Sequence, residues 1–173
     1  MKSEDRMRLV IAVAMVAVMF VGAGCGGGAR MKTLPLAVTP DETLKGSSIR
    51  VHLVGVTDAQ LDAYAKYPVD QWFSPDDMMR REAVGRTVEM RFDAQKSGPQ
   101  TVDRKNPIWE KWKADGVMHV VVFANLPSSG APGREPGKYV LPLDSRRWES
   151  AKDVMIQVKP GGIMATPAPG PMK

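Results

Sequence analysis

Cysteine is nearly absent: Cys25 is the only one in 173 residues. An intramolecular disulfide is therefore excluded in any compartment, and stability must come from an apolar core. Histidine is scarce as well, with only His52 and His119. Two histidines without H-x-x-x-H spacing or a nearby cysteine make a poor zinc site, so no metal is expected. There is no G-x-S-x-G elbow and no G-x-x-x-x-G-K-[ST] phosphate loop. Gly22, Gly24 and Gly27 do spell G-x-G-x-x-G. They do not follow a strand or open a helix within a βαβ unit, so they are not read as a dinucleotide site. The adjacent acids Asp76 and Asp77 sit where a helix begins, and capping and the helix dipole account for them without acid–base chemistry. The excess charge, +5, is spread along the chain. Its nearest approach to a basic cluster, Arg80-Arg81 with Arg86, reads as a solvated face, so no nucleic acid is expected as a partner. No catalytic residue and no cofactor emerge, and the chain is not read as an enzyme.

What is present begins with an address. Lys2, Arg6 and Arg8 precede an uncharged apolar run, Leu9 to Val21, and then Gly22-Ala23-Gly24-Cys25. A charged start, a short apolar stretch and small residues at its end define a secretory signal; a membrane span would take about 20 apolar residues. Cysteine placed directly after the small residues resembles the lipobox of bacterial lipoproteins. That resemblance implies cleavage just before Cys25 and diacylglyceryl on its thiol. Acyl chains contribute about 0.8 kcal/mol per buried CH₂, so several of them hold a protein firmly on a membrane. Gly26, rather than Asp, follows the cysteine, which resembles the outer-membrane sorting pattern. The expected organisation is a signal peptide over 1–24, a lipidated tether over 25–31, a folded domain over 32–160 and a disordered Pro/Gly/Ala-rich tail over 161–173.

Strand patterns dominate the folded part. Leu34 to Val38 is a short apolar run closed by Thr39-Pro40-Asp41, a turn signal. Alternation predicts strands at Ile49 to Val56, at Thr87 to Phe92 and at Val154 to Val158. Val117 to Ala124 is β-branched and continuous, which predicts a central strand buried on both faces. Tyr139 to Leu143 reads as an edge strand, because Pro142 cannot donate to a ladder. Three short helices interrupt the strands. One is capped by Thr57 with Gln60 and stopped at Tyr67-Pro68. One starts at Ser74-Pro75-Asp76-Asp77, and one runs from Asn106-Pro107 to Asp115-Gly116. The expected fold is mainly β, a β-sandwich with short helical insertions; a small α+β domain is the alternative.

The aromatic residues Trp72, Phe73, Trp109, Trp112 and Trp148 fall in or beside the helices and loops. They suit core packing of small helices on a sheet; an exposed platform that grips a partner or a glycan is the alternative. The second use would make the chain a membrane-anchored binding module for a small ligand or glycan.

The order of these features resembles TssJ, the lipoprotein of the type VI secretion system. The resemblance rests on Cys25, on Leu34-Pro35-Leu36-Ala37-Val38 followed by Pro40-Asp41, and on the strand Ile49-Arg50-Val51-His52-Leu53. It continues through the insert with Trp72-Phe73 and Glu82, the segment Val120-Val121-Val122-Phe123-Ala124, Val140-Leu141-Pro142-Leu143 and a final strand from Val154 to Val158. It implies a transthyretin-like sandwich without catalytic activity, anchored through Cys25 in the outer membrane and facing the periplasm. It also implies a TssM-like periplasmic domain as partner, gripped in part by the loop joining the first two strands. Here that loop is Thr39, Pro40, Asp41, Glu42, Thr43, Leu44, Lys45, Gly46, Ser47 and Ser48.

Overall fold

The structure is a computed structural model that describes residues 30–127, 137–148 and 150–171. The expected signal peptide, Cys25 and most of the tether lie outside these residues, as does Glu149. Among the described residues, eight strands form two four-stranded sheets. They are β1 (Leu36–Pro40), β2 (Ile49–Val56), β3 (Thr87–Phe92), β4 (Gln100–Val102), β5 (His119–Ala124), β6 (Lys138–Pro142), β7 (Val154–Lys159) and β8 (Gly162–Thr166). The first sheet has the order β4-β1-β7-β8 and the second β3-β2-β5-β6. Every pairing is antiparallel except β1 with β7, where Leu36 lies opposite Val154 and Pro40 opposite Val158.

The two sheets pack face to face, and the expected β-sandwich is the fold; the α+β alternative is set aside. Period-2 alternation places the sides. From β2, Ile49, Val51 and Leu53 point into the sandwich beside Leu36 and Val38 of β1, Val120 and Val122 of β5 and the apolar residues of β7. The intervening His52 is buried, and Val54 and Val56 face the other way, into a second cluster with Val121 and Phe123 of β5. That outer face of the second sheet is roofed by three helices, α1 (Asp58–Lys66), α2 (Val69–Trp72) and α3 (Met78–Ala83). Strand β5 is therefore buried on both faces, which its unbroken β-branched run predicts. The fourth helix, α4 (Ile108–Ala114), joins the sandwich core through Trp109 and Trp112.

Two helical details differ from expectation and one agrees with it. The stretch from Ser74 makes a turn first, and α3 begins only after Asp77, whose Oδ1 accepts from the Arg80 backbone N–H at 2.6 Å. Pro75 is thus not the first helical residue. Helix α2 carries Trp72 and had no start signal beyond Pro68. In α1 the capping exchange holds: the Thr57 backbone N–H donates to Gln60 Oε1 at 3.2 Å.

The expected disordered tail over 161–173 is corrected. Gly162–Thr166 is a strand in antiparallel register with β7, pairing Val158 with Ile163 and Met155 with Thr166. Pro160-Gly161-Gly162 is the hairpin turn, with Gly162 at φ 146°, a conformation that favours glycine. Ile163 turns into the core and Met164 out to solvent. The folded domain therefore runs past residue 160, and Gly170 N–H still donates to Arg147 O at 3.0 Å.

Candidate docking site

The loop joining β1 to β2 is a compact turn. Asp41 caps a 3₁₀ turn at Glu42–Leu44 by accepting from the Thr43 backbone N–H at 3.1 Å and the Thr43 hydroxyl at 2.8 Å. These two hydrogen bonds, the hydroxyl first, hold the Asp41 carboxyl below its usual pKa; Lys159 adds to them, and burial opposes. Leu44 drops into the sandwich core at 4% exposure. Gly46 then reverses the chain at φ 87°, and the Ser47 N–H closes the turn on Leu44 O at 3.0 Å. Glu42 and Lys45 pair on the outside. Leu44 fixes the loop from within, and Glu42, Thr43, Lys45 and Ser48 are presented to solvent.

Beside this loop lies an open cleft of about 760 Å³. Asp41 and Thr43 form one wall, Lys138 and Tyr139 at the start of β6 another, and the β7–β8 hairpin from Lys159 to Met164 the third. Met164 is half exposed on its rim. Burial raises the pKa of the Tyr139 phenol, and the Lys138 ammonium donates to Tyr67 O at 2.7 Å. The cleft thus mixes charge of both signs with apolar surface. Among the described residues no group of His, Cys, Asp and Glu could hold a metal ion.

The chain reaches the sandwich at its opposite end. Met31 bridges to Asp144, the Lys32 N–H donates to Leu143 O at 2.7 Å, and Arg30 O accepts from the Ser145 N–H at 2.8 Å. From there β1 runs away toward Pro40, the loop and the β7–β8 turn. The point where the chain enters and the loop end are separated by the length of the strands, roughly 15–20 Å for five or six residues.

Other residues singled out in the sequence fall elsewhere. All four tryptophans are buried, at 0–2% exposure. Each indole N–H is satisfied inside: Trp72 on His52 Nδ1, Trp109 on Asp103 O, Trp112 on Arg86 O and Trp148 on Pro142 O. The platform reading is corrected accordingly; these side chains pack the core and leave no indole face for a glycan. The two histidines are on paired strands, but register sets His119 opposite Val56, four residues along β2 from His52. His119 Nε2 instead meets Asp58 Oδ1 at 2.7 Å. Arg86 leaves Arg80 and Arg81 to reach the Tyr64 hydroxyl at 2.6 Å. Asp77 is a cap rather than half of an acid pair, and Asp76 pairs with Arg81 at 2.6 Å. The β7–β8 hairpin and Tyr139 were missed as cleft walls; the alternation Ile163, Met164, Ala165 was the signal that could have found the hairpin.

No protein-family model matches the sequence, and no curated protein matches it. Solved structures do. A chain of a structure described as "Type VI membrane complex" superposes at TM-score 0.54 and 15% identity, over 80% of this chain and 100% of the other. A chain of a structure described as "T6SS protein TssM C-terminal domain (869-1107) from EAEC" superposes at 0.53 and 14% identity, over 77% and 99%. The T6SS lipoprotein TssJ1 from Pseudomonas aeruginosa superposes at 0.45 and 13% identity, over 81% and 100%, too loosely to bear on this chain. At these identities the first two superpositions establish a shared sandwich fold.

Proposed function

We propose that this chain is a lipid-anchored structural protein of an envelope-spanning complex, of the type VI secretion class, and that it performs no catalysis. In this reading residues 1–24 are removed, Cys25 carries the lipid, and residues 25–31 tether the sandwich to the periplasmic face of the outer membrane. The distal loop, Thr39 to Ser48, docks a TssM-like periplasmic domain together with the β7–β8 hairpin. The observation that carries the reading is the polarity of the sandwich. The chain enters beside Leu143 and Asp144, while the loop and hairpin share a cleft at the far end, away from Arg30 and Met31. The sandwich fold shared with a chain of a type VI membrane complex supports the same class of role.

The experiment is affinity purification of the tagged full-length protein from its own membranes in gentle detergent, beside Cys25→Ser. Co-purification of a large inner-membrane protein with a periplasmic domain, and loss of membrane association in Cys25→Ser, is the expected result. A membrane-bound protein that comes down alone overturns the docking role; Cys25→Ser remaining on the membrane overturns the anchor.

A further inference from the structure

A second cleft, of about 290 Å³, opens on the helical side of the second sheet, between β2, β3 and α3. Its walls carry Arg50 and Arg91 from the strands and Arg80 and Arg81 from α3, against a single acid, Glu89. The register makes the crowding explicit: Arg50 lies directly opposite Arg91, and Glu89 opposite His52, one non-adjacent rung further along. Like charges placed opposite each other across strands destabilise a sheet, so the fold alone gains nothing from this pair.

The arginines are unequally engaged. Arg80 donates to the backbone oxygens of Ser74 and Pro75 at 2.9 and 3.0 Å, which fixes it to the turn before α3. Arg81 is held by Asp76. The Arg50 guanidinium rests over the Phe73 ring at 5.1 Å, which orients its plane without using its donors. Neither Arg50 nor Arg91 has a side-chain hydrogen bond or ion pair among the described residues. His52 at the floor registers the field: after burial, which dominates, Arg80, Arg50 and Arg91 each lower its proton affinity, and only Glu89 raises it.

We propose that this cleft binds a carboxylate-bearing segment of a partner protein, gripped by the guanidinium groups of Arg50 and Arg91. Guanidinium forks pair with carboxylates in a bidentate, planar fashion that ammonium groups do not reproduce. The volume suits one or two acidic side chains rather than a folded ligand. Val84, 67% exposed on the rim, and Met78, 66% exposed on α3, supply the apolar border that protein interfaces place beside such anchors. Position argues against a membrane surface as the occupant. Arg50 is the second residue of β2 and follows the distal loop directly, so the cleft lies toward the end far from where the chain enters.

The test uses the full-length protein in detergent and a fluorescein-labelled octaglutamate peptide, read by fluorescence anisotropy. Binding should be salt-sensitive and weaken about tenfold or more in Arg50→Gln/Arg91→Gln. The thermal midpoint of that variant should hold or rise, since a like-charge opposition is removed; a merely structural pair would lower it. Arg91→Gln alone, at an exposed position where folding is not at stake, should weaken binding severalfold. Lys105→Gln/Lys113→Gln, two exposed charges removed elsewhere, should leave it within about twofold. Equal loss in both double variants, or no binding at all, overturns the proposal. So does displacement of the peptide by inorganic phosphate or short-chain phosphatidylglycerol more readily than by unlabelled octaglutamate, which would reassign the cleft to phosphate groups.

Discussion

The indole Nε1–H of Trp72 donates to Nδ1 of His52 at 3.1 Å, in the middle of the cluster between the second sheet and its helices. Trp72 also stacks on Phe123, with centroids 4.4 Å apart and planes 9° from parallel. Because indole can only donate, Nδ1 must be an acceptor, and the bond fixes the neutral imidazole with its proton on Nε2. Burial, the larger cause, pushes His52 down from 6.5 to about 4, and the arginines around it act in the same direction.

That arrangement makes stability depend on pH in a defined window. The folded chain keeps His52 neutral down to about pH 4, whereas the unfolded chain begins to bind the proton near pH 6.5. The contribution is complete above pH 6.5 and is lost as pH falls toward 4, on the order of 2–3 kcal/mol. Asp41 and Asp144, whose carboxyl pKa values are lowered, act only below their ordinary 3.8 and leave the window clear. Urea unfolding at pH 7 and pH 4.5 should show a lower midpoint in acid for the wild type and a flatter dependence for His52→Gln. An equal slope in the two proteins would remove His52 as the cause.

Gly55 and Trp112 make a second pair. A Cβ at Gly55 would sit 2.4 Å from Trp112 Nε1, closer than any real contact, and that nitrogen is committed to Arg86 O at 3.0 Å. Glycine in a strand interior normally weakens it, and here it admits a fully buried indole against the backbone. Gly55→Ala should cost at least about 2 kcal/mol by overpacking. Trp112→Leu opens the space, so adding it to Gly55→Ala should cost less than the two changes summed. A double-mutant cycle with no coupling would show that the contact is not the source of the loss.

The fold was largely written in alternation. Strands β2, β3 and β7 show it, and the doubly buried β5 announces itself instead by an unbroken apolar, β-branched run after His119. Short elements were not legible. Strand β4 has three residues and only Val102 buried, so there is no period to read. Strand β8 was masked by composition: its glycines and prolines form the turn and the segment after it, while Ile163 and Ala165 keep the period. The β1–β2 loop was visible as polar residues between strands, but its neighbours were not. Tyr139 and the β7–β8 turn lie about a hundred residues away or more, and only the sandwich brings them to Asp41. The Arg50–Arg91 opposition depends likewise on register, which no local pattern carries.

The distal loop separates its own folding from its proposed docking, residue by residue. Leu44 is 4% exposed and belongs to the sandwich core, so Leu44→Ala should cost roughly 2–4 kcal/mol and lower the unfolding midpoint whatever the partner. Lys45 points outward with its side chain 51% exposed and pairs only with Glu42, itself 81% exposed, so Lys45→Glu should change stability by no more than about 0.5 kcal/mol. Met164, on the hairpin side of the same cleft, is half exposed, and Met164→Asp should be similarly mild for folding. If this end docks the partner, Lys45→Glu and Met164→Asp should each cut the co-purified inner-membrane protein severalfold while their urea midpoints stay at the wild-type value. An outward charge changed elsewhere, as in Lys152→Glu, should leave recovery unchanged. Undiminished recovery with Lys45→Glu and Met164→Asp combined would move the interface away from the loop end, because Lys45 belongs to the loop whose Asp41 and Thr43 form one wall of the cleft and Met164 to the hairpin that forms another.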